Sequence, residues 1–146
     1  LREYGINEER GRNFYENVLA HLIAACLQRG DTVVDCGANA GRHTFNFLRA
    51  LGGVGTCVAI EPNPAMVEVL RSRLHGRAFA GNVDLKTVAV GARAGSATFN
   101  FFDAEPALSR MTTTWQPPGY EGRTITVDVV PLDDMAIQSR PSVRVF

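Results

Sequence analysis

A chain of 146 residues with 45% hydrophobic side chains suits one domain that buries roughly 70% of its extended surface. Fifteen basic residues balance fifteen acidic ones, so no global field selects nucleic acid, an anionic membrane surface or an acidic partner. Cys26, Cys36 and Cys57 are odd in number, sit in apolar contexts and lack metal-ligand spacing, which points to a reduced, cytoplasmic setting without disulfide or metal.

The opening segment holds Arg2, Glu3, Glu8, Glu9 and Arg10 and lacks the apolar centre of a signal peptide. The apolar run Val18 to Leu27 is broken by His21 and falls short of the roughly 20 residues of a bilayer span. Glu9 to Gln28 reads as a helix, with Phe14, Val18, Leu22 and Cys26 on one stripe and Gly30 as its stop. Residues 1–30 are thus an N-terminal helical segment, packed on the sheet or roofing the site of a domain spanning 31–146.

Val33-Val34 suits a buried parallel strand, with Cys36 expected in its core. Gly37-Ala38-Asn39-Ala40-Gly41 suits a tight turn, and His43 to Leu51 has helical spacing, with Phe45, Leu48 and Leu51 apolar. Cys57 to Ile60 is a second strand, ending at Glu61. Asn63-Pro64 starts a second helix, because Asn caps free amides and Pro tolerates the first helical position; Met66, Val67, Leu70 and Leu74 carry it to Gly76. Asp84 to Val90 reads as the third strand. Ala97 to Phe102 and Arg123 to Val130 alternate as an antiparallel hairpin with one wet face. Between them, residues 103–122, with Pro106, Pro117, Pro118 and Gly119, form a long loop suited to a substrate lid, and Met111 to Trp115 could touch substrate. Pro131 to Ser139 holds one short helix with Asp133 as candidate cap, before a last strand from Ser142.

Strand, glycine turn, helix and a carboxylate at the second strand's end describe a nucleoside-cofactor crevice in an open α/β sheet. Asp35, at the first strand's tip, suits a ligand ammonium. The turn Gly37, Ala38, Asn39, Gly41 lets backbone approach a ligand, and the following helix offers unpaired amides and positive dipole to a carboxylate. Glu61 would hold two ribose hydroxyls, and Pro62, Asn63 and the strand end at Ala89 would flank an adenine. The amino-acid end of S-adenosylmethionine meets these demands. A dinucleotide fingerprint would need glycine at Asn39 and Arg42, and no Gly-Lys-Ser or Gly-Lys-Thr follows Gly37 as a phosphate loop requires.

From Thr32 to Phe146 the chain resembles the FkbM family of class I S-adenosylmethionine-dependent methyltransferases. The resemblance rests on Val33-Val34-Asp35-Cys36-Gly37-Ala38-Asn39-Ala40-Gly41, Ile60-Glu61-Pro62-Asn63-Pro64, Ala89-Val90-Gly91 and Val130-Pro131-Leu132-Asp133-Asp134. It implies a Rossmann-like α/β sheet flanked by helices, with a β-hairpin excursion. It also implies methyl transfer from S-adenosylmethionine, with S-adenosylhomocysteine as product, to a hydroxyl on a sugar, a polyketide-derived compound or a similar small molecule. That family's Lys-Ile-Asp-Val-Glu-Gly-like motif does not follow the strand near Ser142, and the later strands are absent. The chain therefore reads as a piece of a longer protein, whose open sheet edge invites a homodimer. His43, Asp133 and Asp134 are the nearby candidates for a base, and none is assigned. Two other readings stay open: an NAD-dependent oxidoreductase, and a noncatalytic binding or assembly module with a degenerate methyltransferase fold.

Overall fold

The computed structural model describes residues 14, 18–23, 25–102, 109–111, 119, 122–137 and 142–146. Strands β1 (Thr32–Cys36), β2 (Thr56–Ile60) and β3 (Val83–Lys86) and the last strand, β8 (Val143–Val145), form a parallel sheet in the order β3-β2-β1-β8. Helices α1 (Arg42–Leu51) and α2 (Pro64–Leu74) are the crossovers from β1 to β2 and from β2 to β3. β1 and β2 run in register from Thr32↔Thr56 to Cys36↔Ile60, which brings the glycine turn and Glu61 to the same sheet end.

Both faces of the central strands β1 and β2 are covered, so their apolar residues run on without alternation, while β3 and β8 flank them with charged residues between apolar ones. Val33, Cys57 and Ala59 face one way and pack with Phe45, Phe47, Leu48 and Leu51 of α1 and Leu70 and Leu74 of α2. Val34, Val58 and Ile60 face the other way and pack with Ile137. The period of two along the strand divides one apolar run between two cores. Cys36, expected in the strand core, is instead exposed at the strand's end.

The N-terminal helical residues join the first core through Ile23 and Leu27. The stripe expected to be buried is exposed at Phe14, Val18, Leu22 and Cys26. The i, i+4 spacing is present in both sets, and the approach of the sheet selects the set whose neighbours include Leu51 and Leu74.

α2 is capped as the sequence predicts. The Asn63 side-chain oxygen accepts the Ala65 N–H at 3.0 Å with Pro64 in the first turn. Asn63→Ala should cost about 1 kcal/mol, measured by urea unfolding; an unchanged midpoint would show that another acceptor serves Ala65.

A second four-stranded sheet contains β4 (Ala89–Val90), β5 (Gly95–Phe101), β6 (Arg110–Met111) and β7 (Arg123–Val130), in the order β4-β7-β5-β6. The hairpin is β5 against β7, antiparallel from Gly95↔Val129 to Phe101↔Arg123. Val127 and Val129 turn inward, while Thr124, Thr126 and Asp128 are exposed, giving the one wet face. The single third strand expected over 84–90 is two strands in two sheets. β3 pairs with β2, and β4 then pairs in parallel with β7. Most of the loop read as a lid, including 112–118, lies outside the described residues; Arg110 and Met111 within it pair with β5. The short helix after Pro131 is a 3-10 turn, Leu132–Met135, without the Asp133 side-chain cap that was expected.

Candidate functional site

The glycine turn is built by three left-handed residues, Gly37 (φ 87°), Asn39 (φ 49°) and Gly41 (φ 89°). Asn tolerates that region better than other side chains, and here its Oδ1 also accepts the Ala40 N–H at 2.6 Å. At Gly41 a Cβ would stand 2.3 Å from Leu70 Cδ1, so the turn lies directly on α2. At Gly37 a Cβ would meet nothing within 4 Å, so that side of the turn is open.

Within the turn every amide from Gly37 to Gly41 has a protein acceptor. Gly37 and Ala38 both donate to Ile60 O, at 2.9 and 3.0 Å, and Gly41 donates to Ala38 O. Asn39 donates to Glu61 Oε2 at 2.8 Å. The turn is thus a rigid platform, and the sequence expectation of donor amides is confined to the start of α1. Even there Thr44 turns inward, its hydroxyl donating to Asp35 Oδ2 at 2.6 Å and its N–H to the same carboxylate. Thr44 is a residue that sequence reasoning missed: it is a fully buried polar side chain in the first helical turn after the strand-tip acid, and nothing in its local sequence marks it.

Glu61 is 7% exposed and uses both oxygens, accepting Asn39 N–H and, at 2.7 Å through Oε1, Asn63 N–H. It therefore joins the ends of β1 and β2 into one crevice wall. Its own N–H donates to Lys86 O, which places the end of β3 beside it. Ala89, expected to flank a ligand, has its side chain packed with Phe101, Val127 and Val129 in the second sheet's core. Lys86 is the β3 residue that borders Glu61. Pro62 is half-buried and Asn63 buried next to it.

Electrostatically the site holds two carboxylates out of water. Burial pushes the Asp35 carboxyl up, opposed by the Thr44 hydrogen bonds and the field of His43. Burial likewise pushes Glu61 up, opposed by the Asn63 and Asn39 amides and reinforced by the charge on Asp35. The charge on Asp35 thus reaches Glu61 through surroundings largely closed to water. A ligand that brought a cation to one and hydroxyl donors to the other would relieve both penalties. His43 is the base candidate that the fold brings to Asp35. Asp133 and Asp134 are exposed on the 3-10 turn. Among the described residues no group of His, Cys, Asp and Glu is arranged to hold a metal ion, and no helix is long and apolar enough to cross a membrane.

Residues 35–146 match the profile of the methyltransferase FkbM domain. In sequence the chain is similar to two proteins named ubiquinone/menaquinone biosynthesis C-methyltransferase UbiE. The one from Idiomarina loihiensis is 30% identical over 110 residues, covering 64% of this chain and 41% of that protein. The one from Teredinibacter turnerae is 29% identical over 110 residues, covering 64% and 42%. The chain spans about two fifths of the length of these curated relatives. A crystal structure of methyltransferase FkbM from Methylobacillus flagellatus KT superposes with a TM-score of 0.53 at 17% identity, over 82% of this chain and 27% of that one, and shows the same Rossmann-like class I fold.

Proposed function

The chain belongs to the FkbM methyltransferase domain family, and from that membership we propose that its crevice binds S-adenosylmethionine for methyl transfer to a small-molecule hydroxyl. The observation that carries the cofactor reading is the pairing of Asp35 and Glu61, two buried carboxylates 26 positions apart in sequence that β1 and β2 bring to one sheet end. Asp35, oriented by Thr44, faces the ammonium of the amino-acid moiety. Glu61 accepts the ribose hydroxyls with the lone pairs that its two amide bonds leave. The open side of Gly37 and the platform of Ala38, Asn39 and Gly41 receive the amino-acid end, and Pro62, Asn63 and the Lys86 end of β3 border the adenine.

Methyl transfer from a sulfonium asks mainly for in-line alignment in a dry pocket, because the leaving group is already activated. The rigid turn supplies alignment, and the family resemblance supports a hydroxyl on a sugar, polyketide-derived or similar acceptor. Titration calorimetry with S-adenosylhomocysteine, run beside NAD, tests the reading. Saturable, selective uptake of S-adenosylhomocysteine supports it. A folded protein that prefers NAD, or takes up neither, overturns it.

The raised carboxylates add a pH signature. An acid whose pKa in the folded protein lies above its ordinary value near 4 holds its proton into a higher pH window, and an ammonium or hydroxyl donor needs it ionised. Affinity for S-adenosylhomocysteine should therefore fall as pH is lowered from neutrality, and the fall should begin at a higher pH than ordinary carboxylates would give. An affinity independent of pH across that window would remove the ionised pair from the binding account.

A further inference from the structure

α1 and α2 also build a cavity of about 260 Å³, lined by Arg42, Phe45, Asn46, Arg49, Arg73 and Arg77. In a chain of zero net charge, four of its fifteen basic residues meet here, and among the described residues no carboxylate lines the space. Two of the guanidinium groups are held in place. Arg73 lies 5.1 Å and Arg77 5.2 Å from the Phe45 ring centroid, and Arg77 lies 6.0 Å from that of Phe79. Arg73 Nη1 donates to Ala40 O at 2.6 Å, and Arg77 Nε donates to Arg73 O at 2.8 Å. Each carbonyl uses one of the five N–H donors on its arginine, and stacking occupies a ring face without consuming any.

Arg49 Nη1 donates to Asn46 Oδ1 at 3.3 Å. Arg49, Arg73 and Arg77 take no part in the ion pairs resolved among the described residues, which join Arg71 with Glu68, Lys86 with Asp84 and Arg144 with Asp31. Crowded like charges are stabilised by an oxyanion, and the guanidinium fork matches a phosphate group in shape and hydrogen bonding.

The geometry points to a second ligand site, in which the cavity of Arg42, Arg49, Arg73 and Arg77 binds the phosphate or diphosphate group of a small molecule. The cavity is smaller than the roughly 300 Å³ at which drug-sized sites begin, and it suits one or two phosphate groups.

The test is calorimetric titration of the protein with pyrophosphate at ionic strength fixed with chloride, repeated with inorganic phosphate and with a single-stranded oligonucleotide. Arg49→Glu is the deciding variant, because Arg49 is exposed and its resolved bond is to Asn46 alone, so the fold should survive; Arg49→Lys is the conservative control. Saturable pyrophosphate binding, weakened roughly tenfold or more by Arg49→Glu and less by Arg49→Lys at unchanged thermal midpoint, is the expected result. No saturable uptake, or uptake indifferent to Arg49→Glu, overturns the site. Tighter binding of the oligonucleotide with a steep salt dependence also overturns it, in favour of a surface that tracks a nucleic-acid backbone. None of these readouts depends on S-adenosylmethionine.

Discussion

Glu61→Ala is expected to lower affinity for S-adenosylhomocysteine by on the order of a hundredfold or more, because two ribose hydroxyls lose a charged acceptor, each worth about 1.5–3 kcal/mol. The same change strands the Asn39 and Asn63 amides that the carboxylate accepts at 2.8 and 2.7 Å. A stability loss of about 2–4 kcal/mol should accompany it, from two donors left without acceptors in a nearly dry site. Glu61→Gln separates the two effects. It keeps the volume and one carbonyl oxygen, so one of the two backbone amides regains its acceptor and part of the stability returns, while its amide nitrogen cannot accept from a hydroxyl. Titration calorimetry and urea unfolding read the two quantities independently. A well-folded Glu61→Gln protein with undiminished affinity would leave Glu61 as a purely structural clamp between β1 and β2.

Gly41→Ala should destabilise the protein by about 2–4 kcal/mol, the sum of a non-glycine residue at φ 89° and a methyl group forced to within 2.3 Å of Leu70 Cδ1. Leu70 is fully buried and cannot swing away. Adding Leu70→Ala should recover the overlap component but not the backbone component, so the double variant would be less destabilised than the two single changes sum to. Additivity in that cycle would show that the turn and α2 are not in contact. Gly37→Ala offers the opposite profile. Its φ of 87° carries a similar backbone cost, but open space surrounds the added methyl. Its stability loss should be about 1–2 kcal/mol, with the larger effect on cofactor affinity, since the methyl projects where a ligand would lie.

Parts of this molecule were legible in the sequence because their causes are local. The Asn63-Pro64 cap needs only two adjacent residues, and it forms as expected. The one-sided alternation of Arg123 to Val130 needs only the period of a strand, and Val127 and Val129 do face inward. Asp35, Asn39 and Glu61 stood out because strand ends carrying acids around a glycine turn belong to a known crevice geometry, and the fold does bring them together.

The rest depended on contacts that no local pattern encodes. Phe14, Val18 and Leu22 have the spacing of a buried stripe, yet Ile23 and Leu27 take the core, because the choice between two apolar faces is made by the surface that arrives against them. The break between β3 and β4 was hidden because Asp84 to Val90 is strand-like throughout; only β2 on one side and β7 on the other divide it. Thr44 looked like an ordinary helical residue until β1 placed Asp35 at 2.6 Å. Arg42 and Arg49 lie far in sequence from Arg73 and Arg77, and only the packing of α1 against α2 brings the four to one cavity around Phe45.

By itself, then, the sequence determined the strand-turn-helix order, the capped second helix, the hairpin and the acids of the crevice, since propensity, capping and periodicity act over a few neighbouring residues. Tertiary structure decided which helical face is buried, how Glu61 divides its oxygens between the Asn39 and Asn63 amides, and where the arginines converge. Those outcomes are set by burial and close approach between segments distant in the chain, where free energy depends on the partner surface and not on the local pattern.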